Sequence, residues 1–327
     1  MILKNELQKR TDYFNDYWQK YLEIDVPENL YKAARHLPLA GGKRLRPFLV
    51  SISCESVSGD GLKSIPFGAA LEIMHNFTLV HDDIMDKSKL RRNLPAVHIK
   101  YGEPTAILAG DFLFAKSFEA MHDLDVDLKT FKELEMGLID CIIDICRGQQ
   151  LDIEFENKKE ISEEQYLDMI EKKTGVLFRL AARGGTIIGK GSEREINALT
   201  NYGMYLGLAF QIWDDYLDMS SDEETLGKDI GNDIRNGKKT LIACHCLNNA
   251  KGEDKKLLEK IFGNLNASDK QVKEVYYLFK KIGSAEYAKN TAISYSETAK
   301  KSLEILPDTE AKKILNALAE YSINREK

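Results

Sequence analysis

The stretch LVHDDIMDKSKLRR, residues 79–92, brings three aspartates together with four cationic side chains. Asp82, Asp83 and Asp86 are spaced as DDxxD and end an apolar run of helical period. Residues four apart share one face of a helix, so the carboxylates of Asp82 and Asp86 repel each other unless a cation neutralises them. Mg²⁺ takes oxygen ligands and bridges carboxylates to phosphates. The spacing therefore predicts either a magnesium and phosphate site or a solvated acidic helix end.

A second DDxxD lies in FQIWDDYLD, residues 210–218, where Asp214 and Asp218 are again four residues apart. It also stands at the C-terminal end of an apolar helical segment, although a helix C-terminus favours cations. One such motif is compatible with a solvated helix end, but two of them, each followed by a cation-rich segment, favour a metal site. We expect the two patches to face each other across a helix bundle and to hold a diphosphate between Mg²⁺ ions.

Cationic residues accompany both acidic motifs. The stretch GGKRLRP, residues 41–47, places Lys43, Arg44 and Arg46 beside two glycines whose backbone amides can approach a phosphate. The cations that follow the two motifs are Arg91 and Arg92 after the first, and Lys228, Lys238 and Lys239 after the second. Arginine binds phosphate oxygens through two parallel N–H groups and lysine serves as a point charge, so these stretches predict phosphate binding.

The elements that must position these residues are helices. No proline occurs between Pro104 and Pro307, and the sequence between them repeats apolar residues at spacings of three and four. Pro66 suits the first turn of a helix that leads to the first DDxxD, whereas the charged, glycine-containing segment 220–240 predicts a loop. These patterns predict an all-α fold of one domain, residues 1–327. We expect a large helix bundle with the ligand site in a central cavity between helices.

Composition argues against several classes of protein. The chain has 327 residues, 43% of them hydrophobic, so it can bury a large core. No apolar run approaches the roughly 20 residues of a membrane span, and the N-terminal MILKNELQKR is too charged for a signal peptide. A net charge of −6 argues against nucleic-acid binding. The five cysteines form no CxxC pair, which indicates reduced thiols, and we expect a cytoplasmic protein.

From about residue 25 to residue 245 the chain resembles the trans-isoprenyl diphosphate synthases (polyprenyl synthetases), especially the short-chain farnesyl and geranylgeranyl types. The matching stretches are, in order, GGKRLRP, LVHDDIMDKSKLRRNLPAVH, ILAGDFL, GQQLD, KKTGVLF, FQIWDDYLD and GKDIGNDIRNGKKT. The resemblance implies an isoprenoid synthase-like bundle that forms a homodimer. It also implies Mg²⁺-dependent head-to-tail condensation of isopentenyl diphosphate with allylic diphosphates of C5, C10 or C15.

The resemblance implies a role for each residue that falls on a family motif. Asp82, Asp86 and Asp214 would ligate the Mg²⁺ ions that hold the allylic diphosphate. Thr174 and Gln211 would direct oxygen dipoles toward the developing allylic cation. The cations that would contact the allylic diphosphate are Arg91, Lys173, Lys238 and Lys228, the last of which would close over it. The residues that would form a separate isopentenyl diphosphate pocket are Lys43, Arg46, His75 and Arg92.

The implied reaction needs no protein nucleophile, in keeping with the lack of a Ser-His-Asp or Cys-His pattern. The allylic C–O bond ionises, the double bond of isopentenyl diphosphate attacks the cation, and the released diphosphate takes a proton. The chain departs from the family pattern where RRG and PT are usual, with Asn93 after the arginines and Ala96 after Pro95. Asparagine tolerates a left-handed backbone, so we expect the turn to persist.

The residues just before the first DDxxD indicate product length by the same resemblance. Phe77, five residues before Asp82, is aromatic and Thr78 is not. This combination resembles archaeal-type synthases that make C20, or C15 and C20 together, so we expect geranylgeranyl diphosphate, with farnesyl diphosphate as a second product. Helix geometry allows another floor for the pocket, because Met74 lies closer to the face of Asp82 and about 12 Å below it. Phe77 would then be an ordinary core aromatic.

Three other classes of protein would fit parts of the sequence. Two ExxH pairs, Glu72 with His75 and Glu119 with His122, would suit a di-iron carboxylate bundle, but that interpretation leaves both DDxxD motifs unexplained. A class I terpene cyclase or head-to-head synthase also ionises prenyl diphosphates, although cyclases usually replace the second DDxxD and lack a stretch like GGKRLRP. A non-catalytic subunit of a hetero-oligomeric synthase generally loses aspartates of the first motif, and this chain keeps all three.

Overall fold

A computed structural model describes residues 2–220 and 230–325 of the chain. Within these ranges the regular structure is helical apart from one short hairpin, β1 (Leu90–Arg91) with β2 (Leu94–Pro95), so the all-α prediction is confirmed. The helices are α1 (Ile2–Gln19), α2 (Glu28–Leu39), α3 (Leu45–Ser58), α4 (Ile65–Met85), α5 (Val97–Tyr101), α6 (Glu103–Met121), α7 (Leu128–Glu156), α8 (Glu163–Ile170), α9 (Val176–Ile188), α10 (Glu193–Ser220), α11 (Ile230–Asn236), α12 (Leu241–Asn249), α13 (Gly252–Ile261), α14 (Asp269–Lys281), α15 (Ser284–Ser302) and α16 (Glu310–Asn324). None of these helices is long and apolar enough to cross a membrane.

The described residues divide into two compact units. The first unit contains the chain up to Leu138 together with Leu180–Leu199 and Ile305–Leu315. The second unit contains Ile139–Arg179, the described part of 200–304, and the chain from Asn316. Helices α7, α9, α10 and α16 each contribute residues to both units. The prediction of a single domain stays a prediction.

Helix α4 organises the first unit. Pro66 occupies its first turn, as the sequence predicts. Phe67 and Leu71 are fully buried on α4, which packs against α3 and α6. Burying one such side chain contributes about 1.5–3 kcal/mol. Because α4 is anchored along its length, its last turn holds the first DDxxD at a fixed place on this unit.

A buried ion pair joins the start of α3 to α4. Arg44 precedes α3 with a left-handed φ of 48°, and its side chain is 2% exposed. Its Nη1 donates to Glu72 Oε1 at 2.6 Å, and its Nη2 donates to the carbonyl of Pro38 at 2.6 Å. Glu72 also accepts from Asn76 Nδ2 at 3.3 Å. Arg44 is therefore used within the fold, and the Glu72 carboxylate is paired with its guanidinium.

The core of the second unit is formed by α8, α10, α12, α14 and α15. It includes Ile212 on α10, Leu241 on α12 and Val275 on α14, each of which is fully buried. Helix α8 begins with a capping box, in which Ser162 and Gln165 each bond the backbone N–H of the other. This core fixes α10, which carries the second DDxxD in its last turns.

The prediction of a loop over segment 220–240 is wrong in part, because α11 lies within it. Ile234 of α11 is 2% exposed and belongs to the core of the second unit. Arg235 Nε donates to the carbonyl of Ala267 at 2.9 Å, and Gly237, with a φ of 72°, follows the helix end. Tertiary contacts therefore stabilise a helix where composition alone favours a loop.

Replacing Glu72 by glutamine should lower the free energy of unfolding by about 3–5 kcal/mol, because Arg44 would remain charged and buried without its counter-ion. Urea unfolding at neutral pH measures this change. Glu253→Gln is the matched control, since it breaks a pair with Lys256 in which the two side chains are 88% and 73% exposed. It should cost less than about 1 kcal/mol. Equal losses in the two variants would contradict the structural role of the buried pair.

Candidate active site

The first acidic motif occupies the last turn of α4. Asp83 is fully buried and accepts two hydrogen bonds on Oδ1, from Arg91 Nε at 2.9 Å and from Arg91 Nη2 at 2.6 Å. Burial raises the pKa of Asp83, and the hydrogen bond from Arg91 opposes that shift. Asp82 is half-buried and Asp86 is exposed. The backbone N–H of Asp86 donates to the carbonyl of Asp82 at 2.8 Å, so the two flanking aspartates lie on adjacent turns.

The hairpin that follows the motif turns at Arg92 and Asn93. Their φ angles are 53° and 61°, and positive φ at both central residues is the conformation of a type I′ hairpin. Asparagine suits this backbone, so the expectation that the turn persists without the family's glycine is confirmed. Arg92 Nη1 donates to the carbonyls of Leu37, at 2.9 Å, and of Gly41. These bonds hold the non-glycine residue in its strained conformation.

The same arginine packs against the glycine pair of GGKRLRP. Gly42 has a φ of 137°, and a Cβ atom there would lie 3.0 Å from Arg92 Cζ. Only glycine combines this backbone conformation with such a close approach. The structure therefore brings the predicted stretches GGKRLRP and LRRN together within the first unit.

His75 is the centre of the predicted isopentenyl diphosphate pocket. Its Nε2 lies 3.1 Å from Arg46 Nη1. Burial lowers the pKa of His75 well below its usual value, and the charges of Arg46 and Arg92 lower it further. His75 is therefore neutral at pH 7 and accepts the hydrogen bond from Arg46. Lys43, three residues before Arg46, is exposed. The cations around His75, which add to the effect of burial on its pKa, also favour an anion such as a diphosphate.

The predicted chain-length residues lie on α4 below the motif. Met74 is fully buried, whereas Phe77 and Thr78 are half-buried. The Phe77 ring contacts that of Phe114 on α6 edge to face, with 5.5 Å between centroids. Thr78 Oγ1 donates to the carbonyl of His75 at 2.8 Å. Phe77 is thus the more accessible of the two candidate floor residues, and its role stays a prediction.

The middle aspartate of the second acidic motif also accepts side-chain hydrogen bonds, although it is half-buried where Asp83 is fully buried. Asp215 accepts hydrogen bonds from the Tyr166 hydroxyl at 2.9 Å and from Gln211 Nε2 at 3.0 Å. Burial raises the pKa of Asp215 to about 7. Asp214 and Asp218 are half-buried, and Asp214 Oδ1 accepts from Arg325 Nη2 at 2.6 Å.

A π-helical turn, Glu171–Gly175, joins α8 to α9 and carries Lys173 and Thr174. Such turns are frequent at functional sites. Lys173 Nζ donates to Asp152 Oδ2 at 2.5 Å. Thr174 Oγ1 donates to Gln211 Oε1 at 2.9 Å. A Cβ atom on Gly148 would overlap the backbone of Lys173, so this glycine of GQQLD lets α7 approach the turn.

These residues line a small cavity of about 40 Å³ in the second unit. Its polar lining consists of Asp152, Tyr166, Lys173, Thr174, Gln211, Asp215, Lys238, Lys239 and Thr240. The predicted residues Lys173, Thr174, Gln211 and Lys238 therefore lie together. Lys239, in contrast, is 3% exposed and donates to the carbonyl of Gly237 at 2.7 Å. Its ammonium is committed to the fold.

The structure adds residues to the site that the sequence did not single out. Asp152 lies in the matching stretch GQQLD, but no role was predicted for it. Tyr166 and Arg325 lie outside the matching stretches, and no sequence feature indicates either of them. The predicted residue Lys228 lies outside the described residues. Among residues 2–220 and 230–325, no three His, Cys, Asp or Glu side chains are grouped so that they could hold a metal ion.

The family is established by similarity across most of the chain. A model of the polyprenyl synthetase family matches residues 27–279. The chain belongs to this family. The di-iron interpretation is therefore excluded. The ion pair between Glu72 and Arg44 is consistent with this, because it engages the Glu72 carboxylate. Members of the family use divalent metal ions.

Several relatives match the chain over nearly its whole length. The short chain isoprenyl diphosphate synthase of Methanothermobacter thermautotrophicus is 42% identical over 100% of this chain and 99% of its own. The crystal structure of geranylgeranyl pyrophosphate synthetase from Pyrococcus horikoshii has a TM-score of 0.93 and 42% identity, covering 99% of this chain and 98% of that one. The polyprenyl synthase of Caulobacter crescentus, complexed with calcium and isoprenyl diphosphate, has a TM-score of 0.90 and 30% identity, covering 100% and 98%.

The neutral state of His75 predicts a pH dependence of stability. Its pKa is lowered in the folded chain and is about 6.5 in the unfolded chain. Below pH 6.5 the unfolded state therefore binds a proton that the folded state does not, so stability falls as the pH falls, by up to about 1.4 kcal/mol per pH unit. His75→Gln lacks this contribution. In urea unfolding at pH 7.5, 6.5 and 5.5, the free energy of unfolding of the variant should rise relative to that of the wild type as the pH decreases. A constant difference would contradict the prediction.

Proposed function

We propose that this polyprenyl synthetase is a short-chain head-to-tail prenyltransferase. It condenses isopentenyl diphosphate with allylic diphosphates to give geranylgeranyl diphosphate, with farnesyl diphosphate as a second product. One observation carries the proposal: in both acidic motifs the middle aspartate is engaged by hydrogen bonds from neighbouring side chains, Asp83 by Arg91 and Asp215 by Tyr166 and Gln211, while the outer aspartates stand four residues apart. That division suits a motif whose outer carboxylates bind cations.

The residues present fit Mg²⁺ as the divalent ion. Asp82 and Asp86 on α4, and Asp214 on α10, offer carboxylate oxygens, the donors that Mg²⁺ takes in proteins. Few protein ligands are needed, because Mg²⁺ keeps several waters and binds substrate phosphates directly. When bound, Mg²⁺ stabilises negative charge on the leaving diphosphate.

The cations divide between the two diphosphates. We assign Arg91, Lys173 and Lys238 to the allylic diphosphate, together with Lys228, which lies outside the described residues. Asp152 fixes the ammonium of Lys173, and Asp83 fixes the guanidinium of Arg91. The residues assigned to isopentenyl diphosphate are Lys43, Arg46, His75 and Arg92. Neutral His75 accepts from Arg46, so it orients that guanidinium without removing its charge.

Thr174 and Gln211 act on the carbon skeleton. The Thr174 hydroxyl donates its proton to Gln211 Oε1, and Gln211 in turn donates to Asp215. The lone pairs of the Thr174 oxygen are therefore held in a fixed direction, as a preorganised dipole for the allylic cation. The allylic C–O bond breaks, a C–C bond forms with the double bond of isopentenyl diphosphate, and a proton passes to the released diphosphate. No side chain forms a covalent bond to substrate.

Three further expectations are proposed with this function. The chain is one domain over residues 1–327, since the relatives align along its whole length. It acts as a homodimer in the cytoplasm. Its net charge of −6 argues against nucleic acid as a partner, whereas small anionic substrates need only local cations or a bound metal.

Purified protein incubated with labelled isopentenyl diphosphate, Mg²⁺ and dimethylallyl, geranyl or farnesyl diphosphate should yield C20 alcohol, with or without C15, after dephosphorylation and chromatography. Chelation should abolish the product. Asp82→Asn should lower kcat on the order of 10²- to 10³-fold, because a carboxylate that would hold Mg²⁺ against the leaving diphosphate is lost. Asp125→Asn, at an exposed position, is the control and should keep wild-type activity.

The same assay separates the alternatives. Ionisation of an allylic substrate without consumption of isopentenyl diphosphate would show a cyclase-like or head-to-head enzyme instead. Inactivity of the purified chain with every starter would show that it needs a partner subunit.

Product length tests the floor of the pocket. Phe77→Ser should extend the products beyond C20, because it removes an accessible aromatic ring from α4. Thr78→Phe should shift them toward C15. Met74→Ala, the comparison variant at a fully buried position, should keep C20 while losing about 2–5 kcal/mol of stability. An unchanged product from Phe77→Ser would show that this residue is ordinary core.

A further inference from the structure

The chain places an arginine from its C-terminal end against the second acidic motif. Arg325 follows α16, and its side chain is 5% exposed. Its Nη2 donates to Asp214 Oδ1 at 2.6 Å and to the carbonyl of Phe210 at 3.0 Å. Its guanidinium carbon lies 3.7 Å from the centroid of the Phe210 ring. Trp213 Nε1 donates to the carbonyl of Arg325 at 3.4 Å. Both the side chain and the backbone of Arg325 are thus held on α10.

An arginine guanidinium carries a fixed positive charge in proteins. A buried guanidinium therefore requires a counter-ion, and Asp214, whose side chain is 40% exposed, supplies one. The bond is charge-assisted and uses one of the two carboxylate oxygens. The aromatic ring and the backbone carbonyl of Phe210 fix the guanidinium where it stands.

The two acidic motifs differ in which aspartate is paired with arginine. In the first motif Arg91 donates to the buried middle residue, Asp83. In the second motif the middle residue, Asp215, accepts from neutral donors, and the arginine is paired with the flanking Asp214. The arginine of the second motif is therefore paired with Asp214, a carboxylate that the proposed function assigns to a divalent cation.

We propose that Arg325 is the resident counter-ion of Asp214 and weakens the binding of a divalent cation at the second acidic motif. This proposal rests on the proposed role of Asp214 as a ligand. A cation on Asp214 experiences the fixed charge of Arg325, and like charges at such separation repel. Arg325 acts through Asp214 and touches no substrate. It sets the divalent-ion concentration at which the second motif fills.

Direct binding of Mn²⁺, followed by the EPR signal of the free ion in the presence of inorganic diphosphate, tests the proposal without turnover. Arg325→Met keeps much of the apolar stem and removes the charge, so the weakest class of Mn²⁺ sites should tighten by about five- to tenfold. Arg325→Lys keeps the charge and should stay within about twofold of the wild type. Lys313→Met removes the same charge at an exposed position of α16 and should bind as the wild type does.

Thermal unfolding shows whether the variants are folded. If Arg325→Met is not folded, Arg325→Gln, which keeps a donor for the Phe210 carbonyl, takes its place. Unchanged or weaker Mn²⁺ binding in a folded, charge-free variant would overturn the proposal. Condensation by the wild type is measured separately with Mg²⁺. If the wild type binds Mn²⁺ but does not condense the diphosphate substrates, only the proposed function is overturned.

Discussion

Repulsion between neighbouring carboxylates is the constraint on which both acidic motifs depend. Three aspartates within five helical residues cannot all keep their charge in one small volume without compensation. In each motif the middle aspartate is compensated by hydrogen bonds from neighbouring side chains. Asp83 is bonded to Arg91 and Asp215 to Tyr166 and Gln211. The helix then presents two outer carboxylates per motif, four residues apart, as a pair whose spacing suits a cation rather than a third acid.

The cations beside the motifs are divided in a similar way between fold and site. Arg44 is buried against Glu72, and Lys239 is turned to the carbonyl of Gly237. Their sequence neighbours Arg46 and Lys238 are the ones proposed to bind diphosphate: Arg46 lies beside His75, and Lys238 lines the cavity. Cations used by the fold thus lie within two residues of cations proposed to bind substrate. On this proposal the fold uses the first kind to place the second.

This division explains what sequence could and could not predict. The helices and both DDxxD motifs were predictable, because apolar period and four-residue spacing are local properties. The resemblance selected Lys238 rather than Lys239, but the bond from Lys239 to the carbonyl of Gly237 was not predictable, since it depends on the path of the backbone between α11 and α12. The helix over part of 220–240 depends on burial of Ile234 in a distant core. Arg325 meets Asp214 only through the packing of α16, and no local pattern carries that information.

A reaction without a protein nucleophile depends on how side-chain dipoles are oriented around the substrate. Thr174 donates to Gln211, Gln211 donates to Asp215, and Tyr166 donates to the same carboxylate, so the hydrogen bonds from the π-helical turn, α10 and α8 converge on Asp215. Under the proposed function, the hydroxyl proton of Thr174 is held by Gln211, so the Thr174 oxygen is oriented before charge develops on the substrate. A dipole oriented in advance avoids the reorganisation that water would require. Asp215 thus anchors the side chains on which that orientation depends.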